Sequence, residues 1–111
     1  MDKLRTYQNY IRTLLQRHAG YKPKNLDVET QIIFDTENNH FLLMDIGWDK
    51  DRFFHDCVFH LDIKDGKIWL QQNWTDADIA GELVDMGVPK SDIVIGFQPP
   101  KVRAFTGYAV A

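Results

Sequence analysis

The chain has 111 residues, of which 44% are apolar and 26% are charged, so it is long enough for one domain with one hydrophobic core. Its formal net charge of −3 excludes an overall basic surface of the kind that holds nucleic acid. The lone cysteine, Cys57, cannot form an internal disulfide, and no stretch offers a membrane span or the apolar core of a signal peptide. We therefore expect one domain over residues 1–111 in a reducing, cytoplasmic setting.

The first predicted element is a helix from Asp2 to about His18. Its apolar stripe recurs at intervals of three and four residues and consists of Leu4, Tyr7, Ile11, Leu14, Leu15 and His18. Asp2 suits the helix start, where a carboxylate is favoured by the helix dipole. Gly20 suits the position just after the helix, and Pro23 would prevent the helix from continuing.

Four strands with alternating side chains are predicted next. Their ranges are 28–35, 40–48, 52–63 and 67–73, and short polar turns join them. Parallel neighbours would need long crossover connections, so short turns predict an antiparallel meander.

The most informative stretch is the hairpin 58–73, where two alternating runs flank Asp65-Gly66. Asp-Gly favours a two-residue type I′ turn, because both positions need positive φ. Such a turn fixes the register, since a slip of one residue would invert both faces. The predicted pairs are Ile63–Ile68, Leu61–Leu70 and Phe59–Gln72 on one face, with Asp62–Trp69 and His60–Gln71 on the other.

A second helix is predicted over 76–86, with Thr75 as its N-cap and Gly87 just beyond its end. Its buried stripe contains Ile79, Ala80, Leu83 and Met86. Gly81 is expected to mark a close contact with the sheet. Segment 93–97 is predicted to be a short fifth strand or an extended segment, and the apolar tail 101–111 to be docked. The fold class is therefore α+β: an antiparallel meander with both helices packed on one face.

The predicted register leaves apolar residues on both faces of the sheet. The helices are expected to cover the face of Phe59, Leu61, Ile63, Ile68 and Leu70, which leaves Phe41, Leu43, Phe54, Val58 and Trp69 on the second face. An exposed apolar patch of that size marks an interface, unless the C-terminal tail covers it. As an interface, it predicts a twofold homodimer through Phe41, Leu43, Val58, His60, Asp62, Trp69 and Gln71.

No convergent catalytic set stands out in the sequence. His55 and Cys57 could begin a zinc site, but a closed site needs four ligands, and Cys57 is expected inside the core. Asp56, His60 and Asp62 are expected together on the second face, where Asp62 could orient His60 for acid–base chemistry. The same His–Asp pair is common on protein surfaces, so we predict no enzyme activity, no metal and no cofactor.

Basic residues are scattered and offset by acids. The nearest thing to basic clusters is Lys22, Lys24, Lys101 and Arg103. Direct nucleic-acid binding is therefore not expected, although it stays an alternative.

Several stretches together resemble the XisI family, whose members are called fdxN element excision controlling factors. They are MDKLRTY, VETQIIFDTENNHFLLMDIGW, HLDIKDGKIWLQQNWT, IAGELVDMGVPKSDIVIGFQPP and FTGYAVA, which together span nearly the whole chain. The most specific part is GELVDMGVPKSDIVIGFQPP, because its order of Gly, Pro and apolar residues would rarely recur by chance.

The resemblance implies a regulatory role. Family members are associated with developmentally controlled excision of a DNA element in cyanobacteria, beside a site-specific recombinase and a partner called XisH. It therefore implies a non-enzymatic controlling factor that binds an XisH-type protein. The alternatives are a direct DNA-binding accessory factor and an accessory hydrolase or nuclease subunit. The resemblance supplies no catalytic residues.

Overall fold

The computed structural model describes residues 2–21 and 27–111. The strands, in chain order, are β1 (Glu29–Asp35), β2 (His40–Asp49), β3 (Arg52–Lys64), β4 (Lys67–Asn73) and β5 (Ile93–Ile95). The helices are α1 (Lys3–Ala19), α2 (Ile79–Met86) and the short α3 (Pro100–Arg103), with a 3₁₀ turn at Lys90–Asp92. The strands form one sheet in the order β1-β2-β3-β4-β5, so the predicted α+β class is confirmed. Among the described residues, no helix has the length and apolar character needed to cross a membrane.

Helix α1 follows the predicted pattern closely. The Asp2 carboxylate caps it by accepting a hydrogen bond from the Leu4 backbone N–H at 3.1 Å. Its buried residues are Tyr7, Ile11, Leu14 and Leu15. Leu4 is 40% exposed and does not belong to the core stripe. Gly20 ends the helix with right-handed backbone, and Pro23 lies outside the described residues.

Strands β1 to β4 form the predicted antiparallel meander, and β5 adds a parallel edge to it. The register Ile68–Ile93 and Leu70–Ile95 shows that β5 runs parallel to β4. Helix α2 makes the crossover that a parallel neighbour requires. The fifth strand is therefore confirmed, and its direction makes the sheet mixed.

The β3–β4 hairpin turns at Asp65-Gly66, as predicted. Both residues have positive φ, 52° for Asp65 and 76° for Gly66. The pairs Ile63–Ile68, Leu61–Leu70 and Asp62–Trp69 are confirmed.

A β-bulge shifts the hairpin register beyond Leu61. Gln71 is the extra residue on β4, so His60 lies opposite Gln72 and Phe59 lies opposite Asn73. The predicted pairs Phe59–Gln72 and His60–Gln71 are therefore wrong.

A second bulge, at Val58, interrupts the pairing of β2 with β3. Leu43 lies opposite Phe59, whereas Met44 lies opposite Cys57, so Val58 is the extra residue on β3. Alternation before the bulge is therefore inverted relative to the prediction. Cys57 lies on the face away from Phe59, and the expectation that it points into the core is wrong.

Both main helices pack on one face of the sheet and enclose the core. The core strand residues are Phe41, Leu43, Phe59, Leu61, Ile63, Ile68, Leu70, Ile93 and Ile95. Phe41 and Leu43 are 0% and 3% exposed and lie opposite Leu61 and Phe59, so their predicted place on the second face is wrong. Strand β2 is apolar on both sides, and only its register with β3 decides which side meets the helices.

Helix α2 begins later than predicted. Asp78, not Thr75, is its N-cap, because the Asp78 carboxylate accepts from the Gly81 N–H at 3.0 Å. The Thr75 hydroxyl instead accepts from the Ala77 N–H in the preceding loop. A Cβ on Gly81 would lie 2.3 Å from Asp78 Oδ2, so Gly81 closely approaches the cap and not the sheet. Gly87 ends the helix with φ of 118°, as its predicted position requires.

The C-terminal tail is docked, as predicted. The Ala109 N–H donates to the Ile93 carbonyl at 2.8 Å, and Ala109 bridges to Val94 at the free edge of β5. Tyr108 packs against the core. The tail therefore extends the β5 end of the sheet.

Candidate functional site

The face of the sheet opposite α1 and α2 carries three of the chain's four histidines and its cysteine. Strand pairing places on it Ile33, His40, Leu42, Met44, Ile46, Trp48, Phe53, His55, Cys57, His60, Asp62, Trp69 and Gln71. It is referred to below as the open face.

The centre of the open face is a cluster of two histidines and one aspartate. His40 Nδ1 and His60 Nε2 each lie 2.8 Å from Oδ1 of Asp62. His60 and Asp62 share a face because they are two residues apart on β3, and His40 reaches Asp62 because the two are directly opposite on β2 and β3. Two imidazole rings and one carboxylate therefore meet at one point of the open face.

Asp62 is only 7% exposed, although it lies on the face opposite α1 and α2. A buried carboxylate is costly unless its oxygens are hydrogen-bonded. Burial raises the pKa of the Asp62 carboxyl, but hydrogen bonds with His40, His60 and Gln71 lower it, and the net direction is downward. The ionised form of the Asp62 carboxyl is therefore favoured. Two imidazole N–H groups, or a cation, would stabilise its negative charge.

Gln71 and Trp69 border the cluster on β4. The Gln71 amide donates a hydrogen bond to Asp62 Oδ2 at 3.2 Å, so the residue at the bulge contacts the cluster. Trp69 is half-buried and contacts two cations, with Lys64 Nζ 4.5 Å and the Arg103 guanidinium carbon 5.2 Å from its ring centroids. Arg103 belongs to α3, so the tail reaches this end of the open face.

The predicted interface residues divide between the two faces. His60, Asp62, Trp69 and Gln71 lie together on the open face. The other three, Phe41, Leu43 and Val58, lie on the helix side, and this part of the predicted grouping is wrong.

Sequence reasoning missed His40. Its partner Asp62 is set by the β2–β3 register, and the Lys50-Asp51 loop gives no turn signal as specific as Asp-Gly. Asp56 was expected beside His60, but the Val58 bulge places it opposite Asp45 on the helix side, which is a further correction.

Cys57 and His55 do not extend the cluster. The Cys57 thiol donates to the Phe59 carbonyl at 3.2 Å, and burial raises the pKa of that thiol. The His55 ring stacks on Phe53 at a centroid distance of 6.4 Å. Among the described residues, the one histidine, cysteine and acid group able to share an ion is His40, His60 and Asp62.

The β2–β3 hairpin extends beyond the last β1–β2 pair, Glu29–Ile46, and forms an arm, residues 47–54. The last β3–β4 pair is Phe59–Asn73, so β3 has no partner from β4 along the arm. On its open face, Trp48 is 61% exposed and Phe53 is 50% exposed, with their rings 5.1 Å apart. The arm therefore presents an aromatic pair to solvent.

A cavity of about 340 Å³ lies on the helix side of the sheet, at the base of the arm. Its described lining is His18, Tyr21, Val28, Thr30, Leu43, Asp45, Phe54, Val58, Phe59, Thr75 and Ala77. Asp45 accepts from the Thr30 hydroxyl at 2.9 Å, so these two polar groups of the wall satisfy each other. Val58, predicted as an interface residue, contributes to this cavity instead.

One of the basic residues noted in the sequence, Arg103, is engaged within the fold. Arg103 donates to the carbonyls of Gln98 and Gly96 and lies over Trp69, so its guanidinium is engaged. Lys22 and Lys24 lie outside the described residues.

Comparisons with known proteins agree with this architecture. Residues 1–110 match the family model described as XisI protein. The crystal structure of a XisI-like protein from Anabaena variabilis ATCC 29413 is 51% identical, with a TM-score of 0.91, and the match covers 97% of this chain and 99% of that chain. A second crystal structure, the fdxN element excision controlling factor XisI from the same organism, is 29% identical, with a TM-score of 0.86 and coverage of 99% and 100%. No curated protein sequence matches the chain. Because the family model spans nearly the whole chain, this protein belongs to the XisI family.

Proposed function

We propose that this chain is a controlling factor of programmed DNA-element excision that acts by binding a protein partner and not by catalysis. Its membership of the XisI family supports the excision role, as does a relative named fdxN element excision controlling factor XisI. The partner is a protein of the XisH type, as the family resemblance implies.

The observation that carries the binding role is the aromatic pair of the arm. Trp48 and Phe53 are 61% and 50% exposed, yet their rings lie together on the two-stranded arm. Exposed clustered aromatics mark interfaces, because burying them releases apolar surface from water at little entropic cost. The turn between the two aromatic residues carries Lys50, whose cationic side chain would contribute to a polar rim.

Co-purification with an XisH-type protein tests the proposal. Wild type should form a complex at micromolar concentration, and Trp48→Ser with Phe53→Ser should weaken it by about 30-fold or more, taking ~2 kcal/mol as a hot-spot cost. Phe105→Ser is the matched control, because Phe105 is 86% exposed on the tail and away from the arm. Two folded wild-type proteins that fail to associate would contradict the proposal.

A second candidate, an accessory hydrolase, is favoured by the convergence of His40, His60 and Asp62. It is weakened by Asp56, which lies on the other side of the sheet and cannot assist His60. Metal-dependent nuclease assays separate the two functions. No turnover is expected, whereas turnover by wild type that is lost in His60→Ala would establish the hydrolase.

A further inference from the structure

We propose that His40, His60 and Asp62 form a binding site for one divalent transition-metal ion of the zinc type. This inference concerns a ligand of the open face and does not depend on which protein the arm binds.

The geometry of the three donor atoms suits a metal ion. His40 Nδ1 and His60 Nε2 are each 2.8 Å from Asp62 Oδ1, and the donor atoms all lie within 4.8 Å of one another. Ligand atoms about 2.1 Å from one ion are separated by roughly 3.0–3.4 Å in octahedral or tetrahedral coordination. Small side-chain adjustments therefore suffice to seat an ion between the three groups.

The backbone holds these donors in place before any ion binds. His60 and Asp62 stand on one side of β3, and His40 stands directly across from Asp62 on β2. All three lie within paired strands and not on loops, so their spacing is set by the sheet.

Gln71 supplies the supporting contact that metal carboxylates usually have. Its amide donates to Asp62 Oδ2 and leaves Oδ1 directed at the two imidazoles. The bulge at Gln71 thus places a positioning residue beside the proposed ligand.

The donor set selects the class of ion. Two imidazole nitrogens and one carboxylate oxygen suit Zn²⁺, Co²⁺ or Fe²⁺, whereas Ca²⁺ and Mg²⁺ prefer oxygen donors alone. The side chains of His40 and His60 are 54% and 33% exposed, so water can fill the positions that the protein does not supply. The site is therefore an open three-ligand site and not a closed structural one.

A hydrogen-bonded cluster without metal is the competing interpretation, and its consequences differ. In that case each imidazole donates an N–H hydrogen bond to the Asp62 carboxylate, and added metal has no effect on the cluster. A metal ion instead requires both facing nitrogens to be unprotonated, so binding displaces protons.

Titration of untagged, chelator-treated protein with ZnCl₂ in a calorimeter tests the proposal, and Co²⁺ absorption spectra report the coordination. We expect one ion per chain. His40→Ala, His60→Ala and Asp62→Asn should each lower the association constant at least ~100-fold, and Gln71→Ala about 10-fold, since outer contacts alone are worth 10–100-fold. His55→Ala is the matched control, because it removes an exposed histidine from the same face and strand as His60 without touching the cluster.

Two results would overturn the site. One is a wild type that binds neither ion, and the other is a folded His40→Ala protein that binds zinc with wild-type affinity. His40 is the decisive position, because its side chain is more than half exposed and its removal leaves the core intact. Far-UV circular dichroism of each variant shows whether it has folded.

Discussion

At the scale of single residues, two partly buried carboxylates show how this small fold accommodates charge. Asp62 meets two histidines and a glutamine on the open face, and Asp92 meets Lys3 and Tyr7 at the start of α1. In both cases burial raises the pKa and the hydrogen-bond partners outweigh it, so the net direction is downward. Each carboxylate is therefore stabilised in its ionised form.

Asp92 gives the first prediction at this scale, a dependence of stability on acid. Its Oδ2 lies 2.9 Å from Lys3 Nζ and accepts from the Tyr7 hydroxyl at 2.5 Å. The pKa of Asp92 is lower in the folded than in the unfolded protein. The ionised carboxylate therefore contributes to the free energy of unfolding above the unfolded pKa, and this contribution is lost as pH falls through the folded pKa. Asp92→Asn should be less stable than wild type near neutral pH, with the difference shrinking as pH falls through the unfolded and then the folded pKa of Asp92.

Urea unfolding at a series of pH values measures this effect. The free energy of unfolding of wild type should fall more steeply with acid than that of Asp92→Asn. Curves that stay parallel over the whole range would show that Asp92 contributes no pH-dependent stability.

At the scale of elements, the start of α2 shows how a cap is chosen among neighbouring acids and hydroxyls. Thr75, Asp76 and Asp78 all have side chains suited to a helix start. Asp78 takes the role because its carboxylate reaches the Gly81 N–H at 3.0 Å, while Thr75 is bonded within the loop to Asn73 and Ala77.

The prediction for this element is that Asp78→Ala destabilises the protein by about 1 kcal/mol, the usual cost of losing an N-cap. Asp76→Ala is the matched control, since it removes the same group from an exposed position of the same loop and should cost less. Thermal unfolding of the three proteins makes the comparison. Equal losses in the two variants would mean that the acids act through charge near the helix and not through the cap.

Periodicity and turn chemistry were enough to predict nearly all the elements, but not the faces of the strands. Asp65-Gly66 fixed the last turn and the pairs next to it, because the signal is local. The bulges at Val58 and Gln71 each insert one residue into a strand, and nothing in either side chain distinguishes it from its neighbours. One inserted residue inverts every side chain beyond it, which is why Cys57 and Asp56 exchange faces.

Only the part of the candidate site that lies within one strand was predictable from the sequence. Simple alternation put His60 and Asp62 on one face, and the prediction held because no bulge separates them. His40 joins them only through the β2–β3 register, which depends on contacts between distant residues and on the Lys50-Asp51 loop. The parallel direction of β5 likewise depends on how α2 packs and not on the sequence of β5 itself.

At the scale of the whole molecule, the sheet separates two surfaces of different character. One face is sealed by α1 and α2 around the core, and the other is covered by the tail at its β5 end. Val94 is fully buried there, opposite Trp69, and Arg103 of α3 lies over the Trp69 ring. The tail thus accounts for the β4–β5 end of the second face, and the described tail contacts leave the centre and the arm to other partners.

Self-association through the open face beside the tail contact is the last prediction. Trp69 is half-buried, and its neighbours on the open face are the polar residues His60, Asp62 and Gln71. This is the arrangement of an interface anchor and its polar rim. A twofold dimer would bury the same patch from both chains. Trp69→Ala should raise the dimer dissociation constant by ~30-fold or more, taking ~2 kcal/mol as the hot-spot cost.

Trp74→Ala is the control for that prediction, because Trp74 is 77% exposed in the loop after β4 and lies outside the predicted interface. Trp69→Ala should stay folded, since Trp69 is away from the core, although loss of the Arg103 contact should make the tail more sensitive to proteolysis. Sedimentation equilibrium over a range of concentrations measures both dissociation constants. A wild type that sediments as a monomer at the highest concentration would remove the dimer, and equal effects of the two tryptophan variants would place its interface elsewhere.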